Sequence, residues 1–379
     1  MNKAAFTDAA RVEPFLAYVD SLAEDGQLRR LSGAFARFIA SVGPASAPLA
    51  LACVALSELE GRGHSCLLLD DLLGDPAALM GWDDEQWRAL VDVVGPLPKN
   101  LAAWRALLSD AAPVWHIDDL DFGQPLVLDG ARLYLRRYWR DEKLVAGAIG
   151  DRAAVVGQTP DLDKVRRWLD ILFDQPVAGD GPYGAPDWQK IACAVALRGT
   201  VAIITGGPGT GKTYTVASLL TLLFAVAEHP ERLRVALAAP TGKAAARLKQ
   251  SIDHALASLA LKAGDELKLL ELTARMGAAR TLHSLLGARP DTRAFQHHAA
   301  NPLDVDVLIV DEASMVHLEM MASLLDALPP HAILILLGDK DQLASVEAGA
   351  VLGDLCHDAQ AGGYTAATLD YARAASGQR

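Results

Sequence analysis

The chain has 379 residues, a formal net charge of −12, 51% apolar residues and 22% charged residues. That length exceeds one ordinary domain, and the composition excludes disorder as the main state, leaving a globular protein of two or three domains. The acidic balance excludes attraction to nucleic acid by the field of the whole molecule, so any such contact needs a local basic surface.

Cys53, Cys66, Cys193 and Cys356 stand far apart. Their spacing suits neither a disulfide framework nor a CxxC zinc site, and they read as reduced thiols of a cytoplasmic protein. The opening MNKAAFTDAARVEPF lacks the unbroken apolar stretch of a signal peptide. Leu49 to Leu56 and Ile191 to Leu197 are too short to cross a bilayer, so no membrane contact is expected.

From Val12 to about Ala112 apolar residues recur at three- and four-residue spacing, as in Phe15, Val19, Leu22 and Leu28, which predicts a helical N-terminal domain over 1–115. Residues 126–128 and 132–135 flank Asp129 and Gly130, a pair that favours a tight hairpin, so a small β-hairpin and helical connector is expected over 116–175. Between Asp174 and Asp187 three Pro and three Gly leave little chance of a regular element, and 176–187 reads as a linker. Beyond it, β-rich runs at 200–205, 234–239, 305–310 and 333–337 alternate with helical stretches. That alternation predicts a parallel sheet covered by helices over 188–379, an α/β domain of the mononucleotide-binding kind.

The strongest motif is GGPGTGKT at Gly206 to Thr213, directly after an apolar run and directly before a helical one, which is the context a phosphate loop needs. Its glycines let backbone N–H groups form a nest facing phosphates, and the helix N-terminus adds partial positive charge. The phosphate-contacting set is Gly207, Pro208, Gly209, Thr210, Gly211, Lys212 and Thr213, with Tyr214 next to it. Lys212 is expected to reach the β and γ phosphates of ATP, and Thr213 to offer its hydroxyl to Mg²⁺. The competing reading is a glycine-rich strand-to-helix turn.

In LeuIleValAspGluAlaSer, residues 308–314, an apolar strand ends in two carboxylates at the end of the sheet where ligands bind. Asp311 fits a magnesium ligand and Glu312 the base that activates water. After the fourth strand, Gln342 can bond the γ phosphate or the attacking water through its amide; a plain surface turn is the alternative. The stretch AlaProThrGlyLysAla from Ala239 places Thr241, Lys243 and Arg247 on one rim, suited to a phosphate backbone and equally consistent with an ordinary helix start.

These four blocks, with ThrLeuHisSerLeuLeuGly at 281–287, resemble the ordered motifs of superfamily 1 helicases, and their wording is similar to the RecD family, the alpha subunits of exodeoxyribonuclease V. AspTrpGlnLysIleAla from Asp187, GlyHisSerCysLeu near His64 and ArgLeuTyrLeuArgArgTyrTrp near Tyr134 extend the resemblance over most of the chain. It implies an ATP-dependent 5′ to 3′ DNA helicase subunit, in a complex with RecB-like and RecC-like subunits that repairs double-strand breaks. It further implies that Gln189 reads adenine, that Thr241, Lys243, Thr281 and His283 line single-stranded DNA, and that the N-terminal domain docks to RecC. His283 reads equally as a packed core residue, and residues 289–298 as a DNA-touching insert or a solvated loop. The family carries a second RecA-like domain that supplies an arginine to the γ phosphate; none is legible before Arg379, so a chain truncated ahead of that domain is expected. A nucleotide-binding docking module without motor activity is the rival reading, and a small-molecule kinase is disfavoured because no acceptor site can be read.

Overall fold

The computed structural model describes residues 9–155, 161–173, 187–207, 209–292, 294–339, 348–349, 351–359 and 363–377. The chain forms two compact units, Met1–Lys143 with Ser345–Gly349, and Leu144–Ala344 with Ala350–Arg379. Each has its own apolar core.

The first unit opens with helices α1 (Val12–Glu24), α2 (Arg30–Val42) and α3 (Ala47–Glu60), followed by α4 (Asp84–Val94) and α5 (Leu101–Ser109). Helix α3 is buried on every face from Ala47 to Leu59, so the others wrap around it. Ser46 starts it by accepting a hydrogen bond from Leu49 N–H, with Pro48 in its first turn. Glu58 is buried within this packing and is satisfied there, accepting from Arg29 N–H at 2.9 Å and from the Ser32 hydroxyl.

Four short strands complete the unit: β1 (Cys66–Leu68), β2 (Val114–His116), β3 (Leu126–Asp129) and β4 (Arg132–Leu135), in the order β1-β4-β3-β2. The β3–β4 hairpin falls where the sequence predicts it, with one difference: Asp129 pairs with Arg132, so the turn is Gly130-Ala131, and Gly130 takes φ +61. β1 pairs antiparallel with β4, which ties the helical stretch and the hairpin into one core. The compact units part at Lys143/Leu144, inside helix α6 (Arg136–Ala154), and of the expected linker 176–187 all but Asp187 lies outside the described residues.

The second unit contains α7 (Leu162–Leu172), α8 (Trp188–Ala196), β5 (Val201–Thr205), α9 (Lys212–Val226), β6 (Val235–Ala239) and α10 (Gly242–Ala263). It continues through β7 (Arg280–Thr281), α11 (Leu282–Leu286), β8 (Val307–Val310), α12 (Leu318–Ala327), β9 (Ile333–Gly338) and α13 (Ala366–Ser376). Every strand pairing is parallel, in the order β5-β9-β8-β6-β7. All four residues of β8 are buried although they alternate between the faces, so both faces of the sheet are covered. The four predicted strands form with starts shifted by at most two residues, and β7 is an addition. Among the described residues no helix is long and apolar enough to cross a membrane, and no disulfide joins any of the four cysteines.

Candidate nucleotide and DNA site

The carboxyl ends of β5, β6, β7 and β8 carry the candidate residues. β5 delivers the chain into Gly206–Gly211, and α9 starts at Lys212. Gly206 N–H donates to the Gly338 carbonyl at 3.3 Å, pinning the loop to the end of β9. Gly209 and Gly211 take φ +78 and +83, the left-handed region that a side chain makes costly. At Gly211 an added Cβ would also displace the Gln189 amide, the movable end of a flexible side chain, so the left-handed φ is what favours glycine there. Lys212 Nζ donates to the carbonyls of Gly206 and Gly207, and the Thr210 hydroxyl donates to Gly207 O at 2.9 Å. Pro208 lies outside the described residues.

Gln189 sits in the first turn of α8 and donates its amide N–H to Thr210 O at 3.1 Å, in direct contact with the phosphate loop. Its helix is fixed by residues the sequence alone did not single out. Asp187 caps it, accepting from Gln189 N–H and Lys190 N–H at 3.0 and 3.1 Å, and the buried Lys190 pairs with Asp170 of α7 at 2.6 Å. Tyr214 donates its hydroxyl to Leu172 O at 3.2 Å and meets Phe173 edge-on at 6.2 Å.

Asp311 and Glu312 follow β8. Asp311 N–H bonds Ala238 O at 2.9 Å, and the Asp311 carboxylate accepts from Glu312 N–H at 2.9 Å. Burial raises the Asp311 carboxyl above the ordinary carboxylate range, against a smaller lowering by that backbone bond and by the nearby Lys212 charge. Glu312 has φ +52 and ψ +39, and among the described residues it is the only one other than glycine with positive φ. A left-handed glutamate costs about 1–2 kcal/mol, and such strain concentrates at functional turns.

A cavity of about 290 Å³ brings the two sets of residues together: Thr213, Asp311 and Glu312 line it along with Thr241, Lys243, Arg247 and Ser251. Ser251, one turn beyond Arg247 on α10, is a lining residue the sequence reading missed; its four-residue spacing on a helix was the available signal. Thr241 caps α10 by accepting from Ala244 N–H at 3.2 Å, and Thr281 caps α11 by accepting from Ser284 N–H at 3.1 Å. Both hydroxyls keep their O–H to donate elsewhere. Ala239 and Thr281 are paired across β6 and β7, so the two caps stand at one sheet edge. His283 is exposed rather than packed in the core, and its ring meets Phe295 at 6.0 Å. Gln342 lies outside the described residues.

A parallel sheet with a glycine nest at a helix N-terminus after β5 and an aspartate–glutamate pair at the end of β8, two positions along the sheet, defines a P-loop α/β protein of the RecA-like class. A family model described as an AAA domain matches residues 189–348, and one described as RecBCD enzyme subunit RecD, N-terminal domain, matches residues 24–134. The RecBCD enzyme subunit RecD of Mycolicibacterium smegmatis is 46% identical over 262 residues, 67% of this chain and 41% of the relative. That of Mycobacterium tuberculosis is 42% identical over 328 residues, 84% of this chain and 48% of the relative. The ATP-dependent RecD2 DNA helicase of Deinococcus radiodurans is 39% identical over 221 residues, 58% of this chain and 26% of the relative. The chain belongs to the RecD family. It spans less than half the length of these relatives.

Proposed function

We propose that this chain carries the ATP-binding and hydrolysing half of a 5′ to 3′ DNA helicase motor, acting in the cytoplasm as a subunit of a RecBCD-type exodeoxyribonuclease V. The observation that carries the reading is the shared cavity: nucleotide-side residues Thr213, Asp311 and Glu312 and the cationic rim Lys243 and Arg247 face the same space. One site can thus answer both to a triphosphate and to a nucleic-acid backbone.

The residues present fit a magnesium ion. The Asp311 carboxylate and the Thr213 hydroxyl are hard oxygen donors on residues that line the same cavity, and Mg²⁺ takes one or two such protein ligands beside phosphate oxygens. When bound, it neutralises charge on the transferred phosphoryl group. The backbone N–H groups of Gly207 to Gly211 hold the phosphates, and Lys212 moves from loop carbonyls to the β and γ oxygens. Glu312 takes a proton from the attacking water, and Gln342 reports the γ phosphate. Gln189 faces the base, with Tyr214 beside the nucleotide. Thr241, Lys243, Thr281 and His283 hold the strand, the last by stacking. The helical N-terminal region, over about 1–115, docks to the RecC-like subunit of an assembly that also holds a RecB-like one.

The test is ATP turnover by the full chain with and without single-stranded DNA, beside Lys212→Gln. The reading expects nucleotide binding with slow turnover by residues 1–379 alone, DNA-stimulated turnover when the second RecA-like domain of the family is joined to them, and loss of turnover in Lys212→Gln; turnover indifferent to Lys212 would sink it.

A further inference from the structure

The chain between β2 and β3 is braced at many points. The Arg136 guanidinium donates two parallel hydrogen bonds to the Asp121 carboxylate at 2.8 and 2.7 Å, and its Nε donates to Gln124 O. Its plane lies 4.9 Å from the centre of the Trp115 ring. Trp115 meets Trp139 edge-on at 5.0 Å and donates its Nε1–H to Asp119 O at 3.1 Å. Within the loop, Gly123 N–H donates to Asp121 Oδ1 at 2.8 Å and Phe122 N–H to Gln124 Oε1 at 2.9 Å. Everything in this bracing raises the tip outward: Leu120 is 76% exposed and Phe122 81% exposed.

The combination is physically informative. A tethered loop has little conformational entropy left to lose, while two large apolar side chains remain nearly as wet as in an unfolded chain. Their burial is available to another surface, without the ordering cost that usually offsets it. Around them Asp118, Asp119 and Asp121 are all exposed, and the hydrogen bonds from Arg136 hold the Asp121 carboxyl below its ordinary range, so it stays ionised. Arg136 compensates the Asp121 charge, and the two remaining carboxylates, Asp118 and Asp119, repel a phosphate backbone and the anionic headgroups of a membrane alike.

We infer that the β2–β3 loop is a preformed docking tip for a partner protein, whose surface offers an apolar cleft for Leu120 and Phe122 rimmed by lysine or arginine. The tip lies inside residues 24–134, the stretch that matches the N-terminal domain of an assembly subunit. The inference therefore rests on the assembly reading above and adds to it the contacting segment and its chemistry.

The experiment is titration of the full chain over immobilised RecB and RecC subunits from the same organism, beside the double variant Leu120→Ser, Phe122→Ser and the charge reversal Asp118→Lys, Asp119→Lys. The double variant is expected to bind at least about 10-fold more weakly through faster dissociation, and the charge reversal to associate more slowly at low salt. Thermal unfolding is expected to stay unchanged in the double variant, because neither side chain is packed. If the parent chain binds and the double variant binds equally well, the tip is overturned while the assembly reading stands. If the parent chain binds neither subunit, the assembly reading falls and the tip with it. Binding to a DNA oligonucleotide or to anionic vesicles that the double variant loses would overturn the choice of a protein partner.

Discussion

Glu312 and Asp311 are adjacent, yet the proposed function gives them different tasks. Glu312 is bent into the left-handed region by its turn. Glu312→Gln keeps the shape and removes the base; turnover is expected to fall by about 10²–10⁴ with nucleotide affinity retained, as single-turnover and equilibrium-binding measurements would show. Asp311 is held in its protonated form to a higher pH than an ordinary carboxylate, chiefly by burial. Metal binding needs the ionised form, so Mg²⁺ affinity is full above that raised value and falls as pH drops through it, earlier than for a solvent-exposed aspartate. Titrating Mn²⁺ binding against pH checks this, and Asp311→Asn should flatten the curve. Because the folded state favours the protonated carboxyl, Asp311→Asn is also expected to raise the melting temperature of the nucleotide-free protein at neutral pH.

Among the elements, α6 holds the second unit's sheet by a single side chain. Arg152 is buried and donates to Ala332 O at 2.8 Å, Leu328 O at 2.9 Å and Pro329 O at 2.8 Å, the carbonyls between α12 and β9. Removing it strands several buried acceptors, so Arg152→Ala should cost about 3 kcal/mol or more, measurable by urea unfolding. Nothing local announces this residue. It stands in a run of Ala, Gly and charged positions, and its partners lie some 180 positions away. The phosphate loop and the acid pair, by contrast, were legible because their chemistry is packed into a few consecutive residues whose flanking periodicities agree. The two-residue β7 lacked enough alternation to be read as a strand, and the Asp187 cap and the Lys190–Asp170 pair are visible only once α7 and α8 are packed together. The hairpin was found but its turn was misplaced by one residue, because Asp129 favours a turn yet is drawn into pairing with Arg132.

For the whole molecule, two separate cores predict two unfolding transitions. Leu51 is fully buried in the first unit, so Leu51→Ala should lower the first transition by about 2–5 kcal/mol and leave the other in place. A non-hydrolysable ATP analogue with Mg²⁺ should do the converse, stabilising only the transition of the unit that holds the phosphate loop, by about 2.7 kcal/mol at a concentration 100 times its Kd. Differential scanning calorimetry separates the two cases, and a shift of both transitions by either change would refute independent units.

The strand order has a further consequence, for synthesis. β5, which leads into the phosphate loop, has a single neighbour among the described strands, and that neighbour is β9: Val201 meets Leu334. Roughly 130 residues must leave the ribosome after β5 before its ladder can close, a wait of roughly 7 to 27 s at ordinary translation rates. During that interval an apolar strand remains without a hydrogen-bonding partner while the N-terminal unit is already nearly complete. The loop that follows β5 therefore takes its final place only once β9, far along the chain, has been made.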